Sequence, residues 1–236
     1  MILLALESSA TAASVAVCRG EELIAQSFQH TGLTHSETLM PMVESLLKNA
    51  GLERAELGAV AAACGPGSFT GLRIGMAAAK GLAWSLNIPC IGVSTLEAMA
   101  WQLSGMEGVV CAAMDARRQQ VYRALFRLNR GRPERLCPDG AVSLEQLEEE
   151  LAGQDGPKIL VGDGANLCYN SLKVCGGRLA PPHLLYQSAW GVARCALEME
   201  GTSAWTDAAG AALQYHRLPQ AERERLARQQ AKAEPV

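Results

Sequence analysis

Between residues 65 and 75 the chain reads Gly65-Pro66-Gly67-Ser68-Phe69-Thr70-Gly71-Leu72-Arg73-Ile74-Gly75, between an apolar run and a stretch of small residues. Glycine reaches backbone angles that other residues avoid and proline presets its own, so Gly-Pro-Gly imposes a sharp, defined turn. Before it, Ala59-Val60-Ala61-Ala62-Ala63-Cys64 is short enough for a buried strand. After it the chain can run as a helix to Leu86, capped by Ser68 or Thr70. Unpaired backbone N–H groups and the helix dipole converge at such a junction, which makes it a candidate anion site. The common phosphate loops do not match. A Walker loop ends in Gly-Lys-Ser/Thr, whereas Gly71 is followed by Leu72 and Arg73. The dinucleotide fingerprint is missed by one residue, because the glycines fall at 65, 67 and 71. A purely structural turn therefore stands beside the anion cradle as a reading.

The remainder of the chain narrows the function classes. With 236 residues and 49% hydrophobic content, it can build one large domain or two small ones. A net charge of -3 argues against a free-standing nucleic-acid binder. The eight cysteines, at 18, 64, 90, 111, 137, 168, 175 and 195, sit mostly in apolar runs and never form Cys-x-x-Cys. They read as small buried hydrophobes of a reducing cytoplasm, not as a disulfide or zinc framework. The apolar start ends at Leu6, with no basic residue before it and Glu7 after it, so neither a signal peptide nor an anchor is expected. No apolar segment approaches the ~20 residues that span a bilayer.

Periodicity gives the order of elements. Residues 2–6, 14–17 and 23–28 read as three strands in meander order, and 35–50 as a helix stopped by Gly51. The strand, glycine turn and helix follow, then a strand at 90–93 and a helix from Ser94. Near Gly108 the pattern restarts: a strand at 109–114 ends in Asp115, as the first ends at Glu7, and 121–128 reads as its pair. Further strands are expected at 140–142 and 159–161, with helices at 143–151 and 188–200. This weak internal duplication places a boundary in Leu103-Ser104-Gly105-Met106-Glu107-Gly108. The expected division is 1–104, 105–217 and a charged tail, 218–236.

Two helices are apolar on more than one side. In the first, Leu39, Val43, Leu46 and Ala50 form a core stripe that Met40 and Leu47 widen. In the second, Leu72, Met76, Ala79 and Ala83 form one face and Ile74, Ala78, Gly81 and Ser85 another of mostly small groups. Small residues let a second helix approach closely, so the extra face suits a partner or a neighbour within the same domain.

Three motifs together, Leu3-Leu4-Ala5-Leu6-Glu7-Ser8-Ser9, the 65–75 segment and Met114-Asp115-Ala116-Arg117-Arg118-Gln119-Gln120-Val121-Tyr122, resemble the TsaB family, also called YeaZ. The likeness is clear over residues 1–125 and looser to 217. It implies an α/β, actin-like (ASKHA) fold of two duplicated ribonuclease H-like domains with mixed sheets. It also implies a non-catalytic subunit required for threonylcarbamoyl transfer to tRNA adenosine, binding the paralogue TsaD, with the ATPase TsaE as third component. The family pairs through the two helices just described, which makes Met40, Leu47, Ile74, Ala78, Gly81 and Ser85 the expected partner interface. By the same logic the isolated chain is expected to form a homodimer. The tRNA would be met indirectly, through the complex.

Glu7, Ser8, Gly65, Gly67, Ser68 and Asp115 form a candidate vestigial nucleotide or anion site. Actin-like ATPases place an acid facing the nucleotide's metal where Glu7 stands, but most relatives carry aspartate there, and a divalent ion is sensitive to ligand reach. Asp115 has Arg117 and Arg118 beside it, which favours a structural ion pair. The histidines, His30, His35, His183 and His216, form no His-x-x-x-His. On the helix where the catalytic paralogue carries such a pair, the resemblance puts Thr95 and Met99. No metal site, catalytic residue or intrinsic cofactor is expected, and ATP, ADP and Mg only in the complex. Two rivals stay open: an actin-like ATPase or sugar kinase built on Glu7, Asp115 and the Gly65 turn, and a peptidase. The second lacks both a metal pair and a Gly-x-Ser-x-Gly nucleophile turn.

Overall fold

A computed structural model describes residues 1–172 and 176–215. The tail expected over 218–236, Cys175 and His216 lie outside the described residues. The chain opens with β1 (Ile2–Glu7), β2 (Ala13–Arg19) and β3 (Glu22–Gln29), an antiparallel meander in which Leu4 lies opposite Val17. Helix α1 (His35–Asn49) follows, then β4 (Ala59–Gly65), α2 (Phe69–Leu86), β5 (Cys90–Ser94) and α3 (Thr95–Trp101). β4 joins β1 in parallel and β5 joins β4, so the first sheet has the order β3-β2-β1-β4-β5.

The second half repeats this plan. Strands β6 (Glu107–Asp115) and β7 (Gln120–Asn129) form an antiparallel pair, extended by β8 (Glu134–Arg135) and β9 (Gly140–Ser143). After α4 (Leu144–Ala152), β10 (Lys158–Val161) adds in parallel to the free side of β6. α5 (Ala165–Ser171), β11 (Arg178–Leu179) and α6 (Ala189–Glu198) complete the series. Each sheet is thus an antiparallel meander extended by parallel strands on its first strand's other edge.

Strand period 2 splits the first sheet's residues between two cores. Leu4, Leu6, Val60, Ala62 and Cys64 face α1 and α2, whereas Leu3, Ala5, Ala59, Ala61 and Ala63 face the other way, toward α6. Central strands covered on both faces read as continuous apolar runs, which is why β1 and β4 carry almost no polar residue before their ends. In the second sheet Val110, Ala112 and Met114 pack with α3, and Cys111 and Ala113 with α4 and α5. Helix α3 is shared: Ala98 and Trp101 belong to the first sheet's outer core, and Leu96, Met99 and Ala100 to that of the second. The expected boundary after residue 104 follows α3, yet α6 and Ala208 and Ala211 pack back onto the first sheet. Six of the cysteines are buried, Cys137 is half-buried, and none of the described cysteines is in a disulfide.

Candidate functional site

The parallel register sets Leu6 level with Ala62, so β1 and β4 end side by side and bring Glu7 to the Gly65 turn. The segment 7–9 and the turn then interlock. Ser8 Oγ donates to the Gly71 carbonyl at 2.9 Å, Ser68 N–H to the Ser9 carbonyl at 2.6 Å, and Ser9 N–H to Glu7 Oε1 at 2.6 Å. Ser68 is the N-cap of α2, its Oγ accepting from Gly71 N–H at 3.3 Å. The glycines are explained by this contact: a Cβ on Gly67 would lie 2.6 Å from the Ser9 carbonyl oxygen, and on Gly71 or Gly75 it would meet Ser8. Glu7, Ser8, Gly65, Gly67 and Ser68 are therefore brought together, but as a packed knot. The Ser68 and Gly71 amides, which an anion would need, are engaged within the chain. Two of the turn's donors are thus used inside the chain, and any side chain at Gly67, Gly71 or Gly75 would run into residues 8–9.

Glu7 is 0% exposed, and its Oε2 has no hydrogen-bond partner. Burial pushes its carboxyl up to about 7, against the bonds from Ser9 that favour the charged form, and the charge of Asp163 adds to the rise. Asp163, just past β10, was not singled out in the sequence, although its setting, Val161-Gly162-Asp163-Gly164, marks a strand end. It is raised by burial and, less, by Asp115, and it accepts a hydrogen bond from Gln187 Nε2 at 2.7 Å. Asp115 ends β6, and its charge reaches Asp163, which in turn acts on Glu7. Asp115 accepts from Arg117 N–H at 2.7 Å and pairs with the Arg117 guanidinium at 3.7 Å, as the sequence reading of a structural ion pair expects. Thr95 and Met99 are both buried in α3. Among the described residues no group of three His, Cys, Asp or Glu side chains is placed to hold a metal ion.

The outward side of α2 differs in character. Ile74 and Ala78 are half-buried, and Gly81 and Ser85 are exposed. Between them Trp84 stands 75% exposed, a residue the small-group pattern passed over. Met40 of α1 is half-buried beside the first core. Leu47 is 4% exposed and lies inside that core, which corrects its assignment to a partner interface. The reason is helical geometry: Leu47 follows Leu46 by one position and falls within the wide face that covers the sheet. At the start of α2 the Arg73 guanidinium lies 3.7 Å from the Phe69 ring centroid and donates from Nε to the Tyr215 hydroxyl at 3.1 Å. Lys80 Nζ donates to the Ala209 and Ala211 carbonyls, pinning that segment to the helix.

Comparison with known proteins agrees with this architecture. Residues 22–169 match the family model described as TsaD, tRNA N6-adenosine threonylcarbamoyltransferase. The chain is 37% identical to the tRNA threonylcarbamoyladenosine biosynthesis protein TsaB of Bacillus subtilis, over 71% of this chain and 73% of that protein. It is 33% identical to the TsaB of Haemophilus influenzae, over 79% of this chain and 83% of that one. The chain belongs to the TsaB family. YeaZ from Pseudomonas aeruginosa superposes with a TM-score of 0.79 at 27% identity, covering 91% of this chain and 99% of that chain. The repeated sheet order places the fold among the actin-like, ASKHA-type α/β folds, with two ribonuclease H-like sheets. Among the described residues no helix is long and apolar enough to cross a membrane.

Proposed function

We propose that this chain is the non-catalytic partner of a TsaD-type transferase in the synthesis of threonylcarbamoyladenosine in tRNA. Its relatives in Bacillus subtilis and Haemophilus influenzae carry that biosynthetic name. The observation that carries the reading is the outward side of α2, where Ile74, Ala78, Gly81, Trp84 and Ser85 offer a shallow apolar strip to another helix. Met40 of α1 packs against the same core as Ile74 and Ala78. A partner seated on the strip would hold the transferase in a competent form, and a TsaE-type ATPase would join the pair. The same strip accounts for a homodimer of the isolated chain. Nucleotide and Mg would then belong to the complex, since Glu7 is closed off from solvent at the turn where an ATPase of this fold would use it. A peptidase reading is not favoured, because the relatives carry the threonylcarbamoyladenosine biosynthesis name. The test is co-expression with the cognate TsaD and TsaE proteins, native mass measurement, and a tRNA modification assay with each component omitted. Modification is expected only with all components, and transfer by this chain alone would overturn the reading.

A further inference from the structure

Strands β6, β10 and β11 run parallel, so their first residues line one edge of the second sheet, opposite the edge that carries Asp115 and Asp163. A groove of about 540 Å³ opens along this first edge, lined by Arg130, Lys158 and Arg178 with Glu107 and backbone of the neighbouring turns. Arg130 Nε is paired with Glu107 at 2.8 Å. Lys158 and Arg178 have no ion-pair partner among the described residues, so their charge faces the groove uncompensated. The groove thus carries three cations against one carboxylate in a chain of net charge -3. A second, apolar hollow of about 360 Å³ continues from it, sharing Met106 and Arg178 and bounded by Pro181 and Pro182. One end of the combined groove is cationic and the other is apolar.

We infer that this groove binds a nucleoside phosphate, with the phosphate on Lys158, Arg178 and Arg130 and the base against Met106, Pro181 and Pro182. Inorganic phosphate would use only the first half, and a purely apolar ligand only the second. A nucleotide carries an anion and a flat, weakly polar ring at a spacing of a few ångströms, which uses both. Small-molecule sites of this volume pair an apolar lining with a few polar groups that fix orientation. Free nucleotide and the 5′-phosphorylated end of an RNA share this chemistry. The inference does not depend on the role proposed above.

The test is titration of the full chain with adenosine monophosphate, ribose 5-phosphate and a short 5′-phosphorylated RNA, at low and moderate salt. Saturable sub-millimolar binding of the monophosphate, the RNA or both is expected, and which one binds identifies the source. Ribose 5-phosphate should bind at least about fivefold more weakly than the monophosphate. For the RNA, raising salt from 50 to 200 mM should cost on the order of tenfold for three phosphate-facing cations. The variant K158A/R178A is expected to lose at least about tenfold, whereas R54A, a surface arginine elsewhere, should leave binding unchanged. Pro182→Glu, at an exposed position, gives an independent variant that repels the ligand without touching the cations. Thermal unfolding of each variant checks that it folds. The inference is overturned if neither the monophosphate nor the RNA binds, or if ribose 5-phosphate binds as tightly as the monophosphate. It also fails if a folded K158A/R178A binds as the parent does.

Discussion

Glu7 shows how one residue can be at the expected place and yet do something other than the place suggests. Its position at the end of β1, beside the Gly65 turn, was legible from the strand pattern and from Gly-Pro-Gly. That Ser8 Oγ would donate to the Gly71 carbonyl and Ser68 N–H to the Ser9 carbonyl was not legible, because no local pattern records which groups from two separated segments will meet. Asp163 was missed for the same reason, since Gly-Asp-Gly after a short strand is ordinary turn chemistry until Gln187 and Glu7 are set beside it. The buried carboxyl has a consequence for stability. A folded value of about 7 against the ordinary carboxyl value of 4.5 means that the native state holds a proton the unfolded chain has released between those values. The contribution of Glu7 is therefore most favourable below pH 4.5 and declines as pH rises to about 7, by roughly 3 kcal/mol. Glu7→Gln keeps an acceptor for Ser9 N–H and cannot ionise. Denaturant unfolding at pH 5 and pH 8 should show a smaller loss of stability across that range in the variant than in the parent, and an equal loss would refute the account.

Helix α2 is the element on which the partner hypothesis is best tested, because its glycines do opposite jobs. A side chain on Gly71 or Gly75 would collide with Ser8, whereas a Cβ on Gly81 meets nothing within 4 Å. Gly81→Leu is therefore expected to leave the fold intact and to raise the stability of the isolated chain by about 0.5–1 kcal/mol, the helix-propensity difference at an exposed site. The added bulk would stand in the shallow strip beside Trp84 and Ser85 and separate two closely packed helices. Co-purification with the TsaD-type partner should fall while the midpoint of thermal unfolding rises or holds. Undiminished co-purification would remove Gly81 from the interface. The longer elements, from β1 to α3 and again β6, β7, α4 and α6, were readable because each shows an apolar period or run. β8 and β11, two residues each, and the short α5 carry too few residues to display one.

At the scale of the whole molecule, the sequence pattern suggests two successive halves, and the packing ties them together. α6 comes from the second half but supplies Ala189, Val192, Ala193 and Ala196 to the core that also contains Leu3, Ala5 and Ala16. α3 comes from the first half but supplies Leu96, Met99 and Ala100 to the core around Phe126 and Val110. Amphipathic spacing identifies a helix face that must be covered, but it does not say which sheet covers it. Polar contacts repeat the exchange. Arg135 of the second half bridges Glu97 of α3 and Asp139, while Ser94 Oγ donates to Asp139 Oδ2 at 2.6 Å. Each half thus lacks a layer that the other provides, and burial worth about 25 cal/mol per Å² is forfeited wherever that layer is missing. A fragment of residues 1–104 would expose the face of the first sheet that α6 covers, together with the α3 side chains that belong to the second core. It is expected to bind a hydrophobic dye strongly and to show no cooperative unfolding transition. The full chain should unfold in one transition by both circular dichroism and tryptophan fluorescence, because Trp101 and Trp190 lie with Arg194 where α3 meets α6. Two separated transitions, or a fragment that unfolds cooperatively alone, would mean that the exchanged helices decorate two independent cores instead of completing them.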